Sequence, residues 1–233
     1  MHLIRMNHPA RNAIGPQLLD WLNAQLDDAD GAPILLTGNE DSFCAGLDLK
    51  QMLEFSGDEM AQFLIAIDSL AVRLFEYPAP TVACVNGHAI AGGCVLTICC
   101  DYRVAVDSSD LRIGLPEIKL GACFPPRMMN VLRHRLNPAH LYEILLGGDL
   151  YSPAAAQKLG LVDHVCVDAE DVAVAQLKQM STYPADTFAR TKQSLQHGVT
   201  QVSAEQQLAF EEEELPIWGS EEMRQRVRAL FAR

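Results

Sequence analysis

The chain has 233 residues, 49% of them apolar and 21% charged, a balance that suits a soluble globular protein with one sizeable core. Its formal net charge of −12 gives it no basic field, which argues against nucleic acid or an anionic membrane surface as a partner. No apolar run is long enough to span a bilayer, and the opening residues lack the apolar stretch of a signal peptide, so a cytoplasmic location is expected.

Taken in chain order, residues 3–6 read as the end of a strand, broken by Asn7-His8-Pro9. Pro16 suits a first helical turn, and Leu18, Leu19, Leu22 and Leu26 then follow helical spacing. Residues 33–38 read as a buried strand ending in a turn, and 39–42 as a polar loop. A helix is expected to start near Asp48, a suitable N-cap. Residues 58–76 read as a long amphipathic helix, stopped by Tyr77-Pro78-Ala79-Pro80. The apolar, partly β-branched run 81–85 reads as a short buried strand, bounded by Pro80 and by the turn dipeptide Asn86-Gly87. Gly92-Gly93 opens an apolar run that ends at Asp101. Strands follow at 102–106 and 111–113 around a turn at 107–110. Strands and helices alternate to this point, which argues for an α/β layered fold.

Past Pro125 the character changes. Helices are expected over 127–135, 139–146, 153–159, 171–180, 187–196, 204–214 and 221–231, with a strand at 162–167. No Gly/Ser-rich linker divides the halves, so 1–233 read as a single domain: a core over 1–167 and C-terminal helices over 168–233. The acidic run 211–214 reads as a solvated helix face. The seven cysteines are odd in number, lie mostly in apolar stretches and form no Cys-x-x-Cys pair. Buried reduced thiols are expected, rather than a disulfide framework or a metal site.

The stretch 82–96 carries the first chemical signal. A strand, a turn and a Gly-Gly helix start place free N–H groups at the positive end of a helix dipole. Glycine lets a ligand oxygen come close, so the place suits a phosphate or a developing enolate. The same two glycines would equally serve tight helix–strand packing, and on these residues alone both readings stand.

Two further stretches belong with it. Cys44-Ala45-Gly46-Leu47-Asp48, Asn86-Gly87-His88-Ala89-Ile90-Ala91-Gly92-Gly93-Cys94 and Ile113-Gly114-Leu115-Pro116-Glu117-Ile118-Lys119-Leu120-Gly121, in this order and spacing, resemble the crotonase family, the enoyl-CoA hydratase/isomerase superfamily. The resemblance runs from Asn7-His8-Pro9-Ala10-Arg11-Asn12-Ala13 to the C-terminal helices. It implies a crotonase-like spiral of ββα units, then helices that build homotrimers, often paired into hexamers. The chain begins close to that first segment, so an early strand of the family pattern is expected to be short or missing. The resemblance also implies an acyl-CoA thioester as ligand and a place in fatty-acid metabolism. The backbone N–H groups of Leu47 and Gly92 would grip the thioester carbonyl oxygen, and one such donor is typically worth about 3–4 kcal/mol. Ala13, Ala45, Gly46, Asp48, Leu49, Gly93, Val95 and Phe124 would surround the substrate. No metal or redox cofactor is implied, since CoA arrives as part of the substrate. Arg11 and Lys50 are candidate contacts for the CoA phosphates, and read equally well as exposed charges.

Two carboxylate positions distinguish members of the family. Its hydratases usually carry one glutamate where this chain has Val95 and a second at Glu117. Hydration needs both an activated water and a proton donor, which two carboxylates share naturally. A single carboxylate is enough for a proton shuttle between C2 and C4 of a 3-enoyl thioester. The Δ3,Δ2-enoyl-CoA isomerases of the family share the apolar residue at the Val95 position and keep the glutamate matching Glu117. The segment Ala122-Cys123-Phe124-Pro125-Pro126-Arg127-Met128-Met129 is bulkier and more apolar than the glycine-rich one usual in hydratases. A dry wall of that kind would raise a carboxylate pKa and exclude water. Glu117 is therefore expected to be the proton shuttle of an isomerase; on its residues alone it would be an ordinary helix-start acid. The alternatives are an enoyl-CoA hydratase, thioester hydrolysis, decarboxylation, or an acyl-CoA-binding member without catalysis. Asp48 is expected to act as an N-cap, His88 to make a local hydrogen bond, and Cys44 and Cys94 to be buried rather than nucleophilic.

Overall fold

A computed structural model of the chain describes residues 1–39 and 41–232. β1 (His2–Arg5) leads into a single turn, α1 (Pro9–Asn12), and the amphipathic α2 (Pro16–Asp28). Three units of the same form follow. β2 (Ile34–Thr37), β3 (Ser42–Cys44), the short α3 (Leu49–Met52) and the long α4 (Gly57–Phe75) make the first; β4 (Thr81–Val85), β5 (His88–Ile90) and α5 (Gly92–Cys99) the second; β6 (Tyr102–Val106), β7 (Ile113–Gly114), α6 (Glu117–Leu120) and α7 (Pro126–Arg135) the third. α8 (Leu141–Gly147) and α9 (Pro153–Leu159) precede β8 (His164–Cys166). The chain then continues through α10 (Ala169–Met180), α11 (Ala185–Leu195), α12 (Ala204–Ala209), α13 (Leu215–Trp218) and α14 (Glu221–Phe231).

The first strand of each unit enters a sheet of order β1-β2-β4-β6-β8, and the second enters a smaller sheet of order β3-β5-β7. The strand pairings are parallel, with Leu36 opposite Ala83 and Ala83 opposite Arg103. This is the spiral of ββα units that the three motif stretches imply. β2 and β4 are buried along their whole length, as strands covered on both faces must be. α10 covers one face by packing Ala173 and Leu177 onto Leu35, Val82 and Val104. Leu36, Ala83 and Val85 belong to the main core with Leu70 and Leu74 of α4.

Several local readings need correction. β5 was not expected, because His88-Ala89-Ile90 is too short to show a period; it is held by parallel pairing to β3 and β7. The loop read at 39–42 ends earlier, since Ser42 already belongs to β3, where its hydroxyl donates to the Arg11 carbonyl. Glu40, within that loop, lies outside the described residues. The strand read at 111–113 shifts to Ile113–Gly114, where Ile113 exchanges backbone bonds with Tyr151. The helix read at 204–214 ends at Ala209; Phe210–Glu214 winds as a wider turn around the buried Phe210 before α13.

α1 is wound against the usual hand. Ala10, Arg11 and Asn12 have φ of 55°, 60° and 55°. Such conformations cost non-glycine residues about 1–3 kcal/mol each. Buried hydrogen bonds from Asn12 offset this. Its Oδ1 accepts from the His8 N–H, and its Nδ2 faces the carbonyls of Met6, Ser42 and Phe43. The turn thereby fixes the chain that leads into the site.

Candidate active site

Two glycines draw the first two motif stretches together. Gly46 has φ of +89°, and a Cβ there would lie 2.8 Å from the Ile90 carbonyl oxygen. A Cβ on Gly93 would lie 2.2 Å from the Cys44 carbonyl oxygen. Neither position can hold a side chain without moving backbone. Gly92 is different: its added Cβ would meet only side-chain carbons of Ile14 and Leu47 within 3.5 Å. The packing and the ligand readings of Gly92-Gly93 therefore divide between the two residues. Gly93 packs, and Gly92 opens the helix.

The backbone of Leu47 has a set direction. Ile14 N–H donates to the Gly46 carbonyl at 2.7 Å, and Asp48 N–H donates to the Ile14 carbonyl at 3.0 Å. These bonds flank Leu47, so its own N–H and C=O face away from Ile14. Asp48 caps α3, its Oδ1 accepting from the N–H groups of Lys50 and Gln51 at 3.1 Å each. Gly92 is the first residue of α5 and has no helical acceptor for its N–H. Among the described residues, neither the Leu47 nor the Gly92 amide donates to a protein acceptor. Ala91 precedes α5 with φ of 52°, and its N–H donates to the Gly114 carbonyl at 2.9 Å, so β7 holds this turn.

Leu47 and Gly92 line a cavity of about 290 Å³ that Glu117 also lines. Glu117 opens α6 directly after Pro116, and Gly121, with φ of +75°, closes that short helix. Val95 on α5 and Ala122 to Pro125 build the apolar wall around the acid, with Leu64, Ile67 and Met128 from α4 and α7. Trp218 and Leu230 come from the C-terminal helices, and Trp218 Nε1–H donates to the Cys123 carbonyl at 3.2 Å.

Glu117 is 7% exposed, and its Oε2 has no hydrogen-bond partner. Burial pushes its carboxyl up to about 8, a bond to its own backbone N–H opposing this only weakly. The start of a four-residue helix would favour the charged form, and desolvation outweighs it. The thiols near the site are inert: burial pushes both Cys44 and Cys94 up to about 12, and Cys44 Sγ donates to the Asn12 carbonyl. All seven cysteines are free. Among the described residues no cluster of His, Cys, Asp and Glu could hold a metal ion.

Of the residues expected around a substrate, Ala45, Leu47, Leu49, Gly92, Val95, Glu117 and Phe124 line the cavity. Ala13, Gly46, Asp48 and Gly93 are not on its wall. Ala13 ends the left-handed turn, Gly46 and Gly93 hold the two stretches in contact, and Asp48 caps α3. Arg11 and Lys50 are off the wall as well. Arg11 contributes its carbonyl to Ala45 N–H, and Lys50 Nζ sits 5.0 Å from the Phe231 ring centre. His88 is off the wall too, but its bond is not the local one expected: Nδ1 accepts from the N–H of Arg112, distant in the chain. Met128 lies on the wall as the apolar segment 122–129 implied, whereas the sequence reading missed Leu64, Ile67, Trp218 and Leu230. The helical spacing of Leu64 and Ile67 marked a buried face, but nothing in the C-terminal sequence marked Trp218 or Leu230. A larger cavity of about 430 Å³ lies at α11 between Glu76 and Gln201 and contains none of the three motif stretches. Among the described residues no helix is long and apolar enough to cross a membrane.

The sequence profile of the family described as Enoyl-CoA hydratase/isomerase matches residues 1–232. An enoyl-CoA isomerase/hydratase of Mycosarcoma maydis is 32% identical over 183 residues, covering 70% of this chain and 64% of that protein. The mitochondrial enoyl-CoA hydratase domain-containing protein 2 of Bos taurus is 37% identical over 175 residues, covering 72% of this chain and 58% of that protein. The matches thus span somewhat under two thirds of these relatives. Human mitochondrial delta3-delta2-enoyl-CoA isomerase has the same fold, with a TM-score of 0.90 over 99% of this chain and 92% of its own, at 24% identity. An enoyl-CoA hydratase/isomerase from Xanthobacter autotrophicus Py2 superposes with a TM-score of 0.81 over 99% and 92% of the two chains, at 26% identity.

Proposed function

The chain belongs to the enoyl-CoA hydratase/isomerase family, and from that premise we propose that it shifts the double bond of a 3-enoyl-CoA thioester to the 2-trans position. The observation that carries this reading is a lone buried carboxylate in an apolar cavity that also holds two unpaired backbone amides. The thioester carbonyl oxygen accepts from the Leu47 and Gly92 N–H groups. Glu117, as carboxylate, takes a proton from C2. The C–H electron pair forms the C1–C2 double bond of a dienolate, whose charge rests on the oxygen held by the two amides. Glu117 then returns the proton at C4, the double bond settles between C2 and C3, and no atom is gained or lost.

Three features support isomerisation over hydration. Val95 presents an apolar side chain on the cavity wall, so water has no second acid there to activate or protonate it. The wall from Ala122 to Pro125 is apolar, apart from its backbone. The high pKa of Glu117 makes it a stronger base once ionised, and an acid able to give the proton back. This chemistry calls for no metal or redox cofactor. We also infer a homotrimer or hexamer, which the exposed Leu146, Leu195 and Leu208 on the C-terminal half favour.

The test is conversion of 3-hexenoyl-CoA to the conjugated thioester, followed by its absorbance. The kcat/KM of the protein is expected to rise about tenfold per pH unit on the acid side and to level off near pH 8, reporting Glu117 in the free enzyme. Glu117→Gln is expected to lower the rate by about 10²–10⁴-fold. An undiminished rate in that variant would remove Glu117 as the base.

A further inference from the structure

The cavity that holds Glu117 does not end on solid core. Beyond Trp218 lies a second, mostly apolar void of about 20 Å³, bounded by Met52, Leu53, Met60, Met223 and Val227, with the Arg224 side chain also on its wall. Leu49, Leu120 and Trp218 line both spaces, so these three side chains are the partition between them. Trp218 is the largest of the three and is 6% exposed. Its indole is pinned by the bond from Nε1–H to the Cys123 carbonyl. The helix behind it is pinned as well, since the Arg224 guanidinium donates to the carbonyls of Leu53 and Phe55.

The cavity has an open and a closed end. Lys119 and Leu230 on its wall are half-exposed, and Lys119 Nζ pairs with Asp149 at 2.6 Å. A charged CoA moiety has to stay on that solvent side, because burying its phosphates without partners is prohibitive. The apolar tail therefore takes the closed end, where Trp218 stands. The methionines behind the indole are flexible side chains that repack readily around an apolar guest.

We propose that Trp218 is the residue that limits acyl-chain length, acting as a partition between the thioester cavity and a methionine-lined continuation of it. This rests on the reading of the cavity as the acyl-CoA site. With the indole in place, chains long enough to reach it lose the benefit of each further methylene. With it removed, the two spaces join and longer chains gain buried contact.

The experiment compares the wild type with Trp218→Ala and Trp218→Leu. Isomerisation kcat/KM is measured on 3-hexenoyl-, 3-octenoyl- and 3-dodecenoyl-CoA, and dissociation constants are measured by calorimetry for saturated hexanoyl- and dodecanoyl-CoA, which cannot react. The long-to-short preference is expected to rise at least about tenfold in both readouts for Trp218→Ala, and by less for Trp218→Leu. An unchanged preference in either folded variant overturns the proposal; if Trp218→Ala does not fold, Trp218→Leu decides. A shift in binding preference from a protein that isomerises nothing would leave the partition standing and defeat the isomerase reading instead.

Discussion

Glu117 shows at the level of one residue what burial does to an acid and to the protein that carries it. Its carboxyl is held near 8, whereas the unfolded chain ionises near 4.5. Below about pH 4.5 both states are protonated and the residue contributes nothing to pH dependence. Between the two values only the unfolded state gives up its proton, so stability falls as pH rises, and above about 8 the loss is complete. Glu117→Gln, neutral throughout, is expected to unfold at nearly the wild-type temperature at pH 4. At pH 8.5 it should be roughly 2–4 kcal/mol more stable, with thermal melts at both pH values as the check. Equal melting temperatures at pH 8.5 would mean that the acid is solvated. The position of this acid was legible in the sequence only through the motif around it. Pro116-Glu117 alone reads as a helix start, and its burial depends on Ala122 to Pro125, α4 and α13 closing over it.

At the scale of elements, the two neighbouring glycines give opposite expectations. Gly93→Ala forces a methyl into the Cys44 backbone, and the loss should be at least about 2 kcal/mol in chemical denaturation. Gly92→Ala meets only the ends of Ile14 and Leu47, which can give by tenths of an ångström, so its fold should survive. A Gly93→Ala protein as stable as Gly92→Ala would contradict the close approach of β3 and α5. The sequence made the long periodic elements plain: the leucines of α2, the apolar face of α4 and the buried run of β4 each show their period. It did not show β3, β5 and β7 as one small sheet, because strands of two or three residues carry no period and exist only through tertiary pairing. Nor did it show the left-handed turn at 10–12. Asn12 tolerates that conformation, but Arg11 is held there by the distant Ala45 N–H and Ser42 hydroxyl, which both donate to its carbonyl, and Ala10 by the Ala13 N–H.

For the whole molecule, the question is how the helical C-terminal part is fastened to the α/β core. Lys192 of α11 is buried, with Nζ 2.8 Å from Asp101 Oδ1, and Asp101 also accepts from the N–H and hydroxyl of Thr81. Lys192→Ala leaves a mostly buried carboxylate short of its cation and is expected to cost about 3 kcal/mol. Arg228→Ala, which breaks the solvent-exposed pair with Glu221, should cost less than about 1 kcal/mol, so urea unfolding of the two variants separates them. This fastening bears on the site because Trp218 and Leu230, from the helices beyond α11, help to close the cavity around Glu117. The closure completes the dry, single-acid environment on which the proposed chemistry depends. The measurement that probes it most directly sets two rates side by side in the same protein: isomerisation of 3-hexenoyl-CoA and water addition to 2-trans-hexenoyl-CoA. Isomerisation is expected to be faster by about two orders of magnitude or more. Formation of 3-hydroxyhexanoyl-CoA at a comparable rate would contradict the account.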